Sequence, residues 1–286
     1  MPPSLRPARA AVVRALTLLV AVTGAASARA QERPYFVTYD HHLGERGEFE
    51  TAVSSTTGFP RAGGSTYTAP WLEIEYGVTN WWTSEVYLEG VGIAHDGSAY
   101  TGWRWENRVR PWGTDHRVIP VLYLEYEHLT EASRIQKEIV GSGGLSFEPL
   151  ADLRAEAAHE LEAKLILSTM AGGWNVAENV IFEKNLSKDE GVEFGYAVAV
   201  SHALHGGLDA PPCRLCRGAF ALGVEAYGGA GSTLDFGFHD TSQYLAPVVS
   251  WQLYNHSAVK ASVGFGLTDT SDHALLRVAY VFEFER

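Results

Sequence analysis

The segment from Ala274 to Phe284 alternates strictly between apolar side chains and a mixed set. The even positions hold Ala, Leu, Val, Tyr, Phe and Phe, whereas the odd positions include Arg277 and Glu283. Because successive side chains of a β-strand point to opposite faces, this segment predicts a strand with one apolar, aromatic-ended face and one face that accepts charge. A soluble sheet would turn its charged face to water, whereas a membrane barrel would turn that face into a polar lumen.

The first thirty residues have the layout of a secretory signal peptide. Three arginines precede an apolar run of small residues at 15–25, and residues 28–30 form an A-x-A cleavage pattern before Gln31. The apolar run is too short to cross a bilayer as a helix, which takes about 18 or more apolar residues. We therefore expect residues 1–30 to be removed as a signal peptide, which leaves residues 31–286 as one barrel domain.

Charge and composition exclude some classes of function. The chain has 22 Lys and Arg against 34 Asp and Glu, a net charge of −12, and the first thirty residues contribute four arginines and no acid, so the remainder carries −16. This balance argues against nucleic-acid partners, which require basic patches. No other segment is apolar and long enough for a transmembrane helix, so any membrane span must be built from strands. Eight Trp and thirteen Tyr supply the residues that gather at membrane interfaces.

Segments of about ten residues with alternating polarity recur along the chain, the length that a tilted strand needs to cross the hydrocarbon layer. They lie at 48–56, 68–77, 82–93, 99–110, 117–128, 157–168, 174–186, 192–204, 217–229, 241–252, 257–267 and 273–285. The pattern predicts an all-β fold, a transmembrane antiparallel up-and-down barrel of about 12 strands. An even strand number is usual for single-chain bacterial barrels.

The connections between these segments alternate in length. If both termini lie in the periplasm, most turns on that side are short, apart from 205–216, whereas 57–67, 129–156 and 230–240 on the opposite side are long. Short periplasmic turns and longer outer loops are typical of such barrels. Residues 151–164 are rich in helix formers, so we predict a helical loop before the strand at 157–168, the alternative being a longer helix that changes the strand count.

The signal peptide, the amphipathic strands, residues 72–80 (LEIEYGVTN) and the aromatic terminal strand resemble bacterial outer-membrane β-barrel proteins. Within residues 68–130, the pattern of 71–89, WENR at 105–108 and LEYEH at 124–128 resembles outer-membrane proteins of the meta-pathway of phenol degradation. The resemblance implies the outer membrane of a Gram-negative-type bacterium, with outer-membrane lipid and the barrel assembly machinery as partners. It implies uptake of apolar or aromatic solutes, no cofactor and no catalytic residue. The terminal aromatic residue that the assembly machinery reads is offset here, because Glu285 and Arg286 follow Phe284.

Charged residues of the second to fifth strands are the candidate lumen residues, because they share the face opposite the apolar one. They are Glu73, Glu75, Glu85, Glu89, Arg104, Glu106, Arg108, Arg110, Glu125 and Glu127. The arginines of one strand lie between acidic strands, and opposite charges attract across strands. One hypothesis is a charged constriction that selects solutes. The alternative is a salt-bridged interior that closes the barrel without transport. Trp103 and Trp105 fall on the opposite, lipid-facing side.

Cys213 and Cys216 form the sharpest local motif. In a secreted chain with two cysteines a disulfide is the leading interpretation, although free thiols, a redox pair, or a metal site that includes His202 and His205 stay open. Haem attachment is not indicated, because Arg217 stands where a histidine is needed. We assign no metal ligand.

Histidine and serine pairs offer little chemistry in a strand. Adjacent side chains diverge, so His41-His42 and His239-Asp240 are poor chelates unless a loop folds round, and we expect solvated or interfacial histidines. Ser201-His202 and His256-Ser257 cannot form a nucleophile–base contact for the same reason. The leading interpretation is a non-enzymatic channel or uptake porin. The alternatives are a soluble periplasmic or secreted β-protein that binds a ligand or partner, and a barrel hydrolase.

Overall fold

The computed structural model describes residues 34–61, 63–114, 116–133, 140, 149–154, 157–204, 215, 219–254 and 256–284. Twelve antiparallel strands close into one barrel in which each strand pairs with its neighbours in sequence and the first pairs with the last. The strands are β1 (Phe49–Phe59), β2 (Tyr67–Thr79), β3 (Trp82–Ile93), β4 (Gly97–Val109), β5 (Ile119–Thr130), β6 (Ala157–Ala171), β7 (Trp174–Asn185), β8 (Glu193–Ala203), β9 (Phe220–Ser232), β10 (Gln243–Tyr254), β11 (Ser257–Gly266) and β12 (Ala274–Phe284).

The alternating pattern is confirmed in all twelve strands, whose ends differ from the predicted ones by at most three residues. In β12, Leu276, Val278 and Tyr280 are 42–45% exposed on the outside, whereas Arg277 is 1% exposed inside. Trp105 likewise points outward, at 48% exposure. Apolar faces therefore line the outer wall, and charged faces line the interior. This arrangement excludes two stacked sheets with an oily layer between them.

The two ends of the barrel differ in their connections. At the turn end, where β1 begins and β12 ends, three of the links between strands contain only two residues, 80–81, 172–173 and 255–256. At the loop end, the connection from β5 to β6 includes a short helix, α1 (Leu150–Leu153). Leu150 and Leu153 pack against the buried side chains of Tyr67 and Val91 in the barrel mouth. The predicted helical loop before β6 is thus confirmed. Among the described residues, no helix has the length and apolar character needed to cross a membrane.

The segment before β1, Pro34–Gly44, lies inside the barrel, and we call it the plug. It forms no strand, yet Tyr35, Val37 and Tyr39 on it are buried. A linker of residues 45–48 joins the plug to β1 across Gly77 of β2. The linker approaches so closely that a Cβ atom at Gly77 would lie 1.9 Å from the carbonyl oxygen of Glu45, so only glycine fits there. The sequence pattern placed this segment before the first strand without predicting that it fills the lumen.

Candidate functional site in the barrel lumen

A continuous row of glutamates crosses nine strands, each glutamate directly opposite the next in the strand register. From β12 through β1 to β8 the row comprises Glu283, Glu50, Glu75, Glu85, Glu106, Glu125, Glu162, Glu183 and Glu193. Directly opposed residues of an antiparallel pair share one face, and Glu106 and Glu125 are fully buried, so the whole row faces the lumen. We call it the glutamate stripe. It begins near the turn end at Glu283 and Glu50 and reaches the loop end at Glu193, because barrel strands tilt against the axis.

Three basic side chains partly neutralise the stripe, through contacts that run diagonally between strands or join residues two positions apart on one strand. Arg108 contacts Glu75, lies 3.2 Å from Glu85 through Nη2 and lies 2.7 Å from Glu106 through Nε. The predicted arginine–glutamate attraction between strands is present. Its geometry differs from the expected facing rows, because Glu106 itself occupies the position opposite Glu85 on β3.

The other two basic side chains lie further along the stripe. Arg104 Nη1 is 3.0 Å from a Glu125 oxygen, and Arg104 Nε is 2.5 Å from Glu89. Lys164 Nζ, which the sequence analysis did not single out, is 2.8 Å from Glu162. Because these groups are buried, the pairs are screened far less than surface ion pairs.

The remaining candidate residues lie at the margins of this network. Glu73 is half-buried, and its Oε1 accepts hydrogen bonds from Ser54 Oγ at 3.3 Å and from Trp71 Nε1. Arg110 sits at the turn-end rim, where it donates to the carbonyl oxygens of Asn80 at 2.7 Å and His41 at 2.9 Å. All ten predicted lumen residues therefore lie on the inner face or at its rim.

Glu225 of β9 and Asn179 of β7 hold the plug by its backbone. The two carboxylate oxygens of Glu225 accept hydrogen bonds from the N–H groups of Phe36, Val37 and Thr38, at 3.0–3.1 Å. Asn179 accepts from the N–H of Tyr39 at 2.7 Å and donates to its carbonyl oxygen at 2.8 Å. Sequence reasoning missed both residues, because binding to backbone groups leaves no side-chain signal in the plug sequence.

Two tyrosines anchor the plug to separate parts of the wall, on β8 and β4. Tyr35 donates to Ser201 Oγ at 2.8 Å, and burial is the main cause that raises the pKa of its hydroxyl. Tyr39 donates to Glu106 Oε2 at 2.9 Å and so reaches the glutamate stripe. Ser201 thus faces the lumen, whereas the His202 ring makes an edge-to-face contact with Trp174 of the neighbouring strand. The divergence predicted for Ser201 and His202 is present.

The histidine pair of the plug is folded into the lumen rather than solvated, which corrects the expectation for His41. His41 Nδ1 lies 2.5 Å from Ser168 Oγ. The His41 ring stacks on the His42 ring, with 4.4 Å between the ring centroids. Burial lowers the pKa of His41 to about 4. Burial alone would raise the pKa of Asp40, but the adjacent His42, whose Nδ1 is 2.9 Å from Asp40 Oδ2, outweighs it and holds that pKa below the usual range.

One cavity adjoins the plug. A cavity of about 70 Å³ lies between it and the wall, lined by Trp71, Tyr87 and the charged side chains of Arg104, Lys260 and Arg277 among others. That volume holds about five water molecules at roughly 15 Å³ each. Cys213 and Cys216 lie outside the described residues.

Comparison with known proteins identifies the fold. No family model matches the chain, and no curated protein matches it. Among solved structures, the COG4313 outer membrane channel from Pseudomonas putida F1 is similar with a TM-score of 0.54 at 11% identity, covering 86% of this chain and 98% of that one. The NanC porin is similar with a TM-score of 0.47 at 10% identity, covering 82% and 100% of the two chains. The chain has the fold of outer-membrane β-barrel proteins, as a closed barrel of twelve strands.

Proposed function

We propose that the chain is an outer-membrane channel for small polar solutes, closed by its own plug. The observation that carries this proposal is the way Glu225 binds the plug, with one carboxylate accepting three consecutive backbone N–H groups. These bonds hold the segment in place, and water can replace them when the segment leaves. The plug also packs against apolar wall side chains, such as Leu275 beside Val37 and Val248 beside Tyr35.

The wall behind the plug supports the same proposal. Three polar side chains of β7 and β8, those of Asn175, Asn179 and Ser201, form hydrogen bonds with the plug. Such a surface would be hydrated once exposed, as the interior of a conducting barrel is. Twelve strands lie between eight-stranded barrels, which side chains fill, and sixteen-stranded porins, which hold a water channel.

The charge distribution favours polar or charged solutes over the apolar or aromatic ones that the sequence resemblance implied. The glutamate stripe runs from β12 through β1 to β8. Lys260 of β11 is a buried basic residue on a strand that the stripe does not reach, and Arg277 is a second buried base on β12. Opposite charges on facing walls orient a dipolar solute in the lumen and raise the cost of passing an apolar one.

Conductance in planar bilayers tests the proposal. We compare a chain that begins at residue 31 with one that begins at residue 45, both refolded in detergent and checked for a heat-dependent shift in gel mobility. The longer chain should be closed for most of the record, and the shorter one should conduct steadily. A correctly folded short chain that never conducts would refute the channel and favour a filled barrel with a structural role. Cell fractionation tests the outer-membrane location separately.

A further inference from the structure

Three glutamates on β5 and β6 bring their carboxylates together inside the barrel. Glu125 and Glu162 are directly opposite each other in the strand register, and Glu127 follows on the same face of β5. All three are buried, with at most 3% of their surface exposed. One carboxylate oxygen from each lies within 4.8 Å of the others.

Glu127 is the unusual member of this cluster. It is completely buried, yet among the described residues neither of its oxygens has a hydrogen-bond partner. Buried polar groups in proteins are nearly always hydrogen-bonded, and an uncompensated buried carboxylate costs several kcal/mol. No hydrogen-bond donor among the described residues compensates for this side chain, so a bound cation or a proton would have to do so.

The charges around Glu127 indicate what kind of group would compensate for its carboxylate. The charged groups that act most strongly on Glu127 are three acids, Glu125, Glu183 and Glu162, and one base, Arg104. Arg104 is already bound to Glu125 and Glu89, and Lys164 is bound to Glu162. The two bases leave an excess of negative charge beside Glu127, which a divalent cation would balance.

We propose that Glu125, Glu127 and Glu162 bind a divalent cation of the Ca²⁺ class. Such hard cations take carboxylate oxygens at about 2.3–2.6 Å, so two ligands of one ion can be up to roughly 5 Å apart. The observed oxygen spacing falls within that limit. The ion would bridge β5 and β6 next to the ion pairs of Arg104 and Lys164, and would fix the strand pair against which Tyr39 of the plug packs.

Calcium binding by the refolded chain tests the proposal. The chain is first freed of lipopolysaccharide and dialysed against a chelator. Isothermal titration with Ca²⁺ alone should show one site, and Ca²⁺ should raise the midpoint of thermal unfolding of the parent protein. Glu127→Gln should weaken binding by about tenfold or more, because one charged ligand is lost. Glu178→Gln, a strand glutamate exposed on the outer face, is the matched control and should bind as the parent does.

Two outcomes would overturn the site. One is a parent protein that binds no Ca²⁺, which would mean that Glu127 is compensated by a proton instead. The other is Glu127→Gln protein that binds Ca²⁺ as tightly as the control. Glu162→Gln gives a second reading if the first variant folds poorly. The titration needs only a folded barrel. If the chain binds Ca²⁺ but the folded chain that begins at residue 45 never conducts, the proposed channel is refuted and this site stands.

Discussion

Arg108 is the residue on which the turn-end part of the glutamate stripe depends. Its buried guanidinium forms ion pairs with Glu75, Glu85 and Glu106 at the same time. Removing one partner of a buried ion pair typically costs about 3–5 kcal/mol, because the remaining charge is left uncompensated. We expect Arg108→Met to lower the free energy of unfolding in detergent by about that amount, as measured from denaturant midpoints.

The matched control for this substitution is Arg46→Met, at an exposed position in the linker. Isolated exposed charges usually contribute less than about 1 kcal/mol, so this variant should unfold like the parent protein. Equal midpoints for the two variants would show that the Arg108 network contributes nothing to stability.

His41 gives the docked plug a pH dependence whose sign follows from its lowered pKa. When the plug is released, His41 takes up a proton near its ordinary pKa of 6.5, whereas in the docked plug it does so only near pH 4. The released state therefore binds more protons between these values, and docking weakens as the pH falls through this window. Above pH 6.5 the histidine is neutral in both states and contributes no pH dependence.

The groups around His41 do not reverse this expectation. Asp40 and His42 on the plug and Arg110 at the rim are the charged neighbours, and the lowered pKa of Asp40 affects docking only in more acidic solution. We expect more open channels at about pH 5 than at about pH 7.5, and a smaller difference in His41→Gln. An unchanged pH response in that variant would assign the effect to the lumen glutamates.

Among the structural elements, the plug should be released when Glu225, the principal hydrogen-bond acceptor of its backbone, is changed. In Glu225→Gln one of the two acceptor oxygens becomes an NH₂ donor that faces backbone N–H groups. A loss of about 2 kcal/mol of docking free energy would raise the open population roughly thirtyfold. Single-channel recording measures this change. Glu178→Gln, outside the lumen, should keep the closed behaviour, and a Glu225→Gln protein that is equally closed would contradict the assigned role.

The strands were predictable from sequence, whereas the plug was not. Residues such as Leu72 and Ile74 alternate with Glu73 and Glu75, so local periodicity reveals both faces of β2. The plug has no such period. Its partners Asn179 and Glu225 lie 140 to 189 residues further along the chain and bind mainly backbone groups.

The candidate site was predictable in part, for a related reason. Each glutamate of the stripe could be assigned to the inner face of its strand. Their alignment into one row depends on the register of every pairing, and a shift of one residue in a single turn would break it. The cluster of Glu125, Glu127 and Glu162 becomes visible only when β5 is placed beside β6.

The outer surface of the whole molecule should govern its behaviour in solution. Large apolar side chains such as Val53, Leu122 and Leu124 are 50–60% exposed around the wall, far more than soluble monomers tolerate in contiguous patches. We expect the refolded chain to aggregate when detergent is withdrawn and to stay monodisperse when detergent is present, as measured by size-exclusion chromatography. A monodisperse sample in plain buffer would contradict the membrane assignment.

Only four residues, 45–48, join the plug to β1, so the plug and the barrel are parts of one covalent chain. Rebinding is then intramolecular, with an effective concentration of about millimolar for so short a tether. The closed population is therefore independent of the protein concentration. A free peptide with the sequence of residues 34–44, added to a shortened chain, would have to reach about that concentration to close the barrel as fully as the tethered plug does.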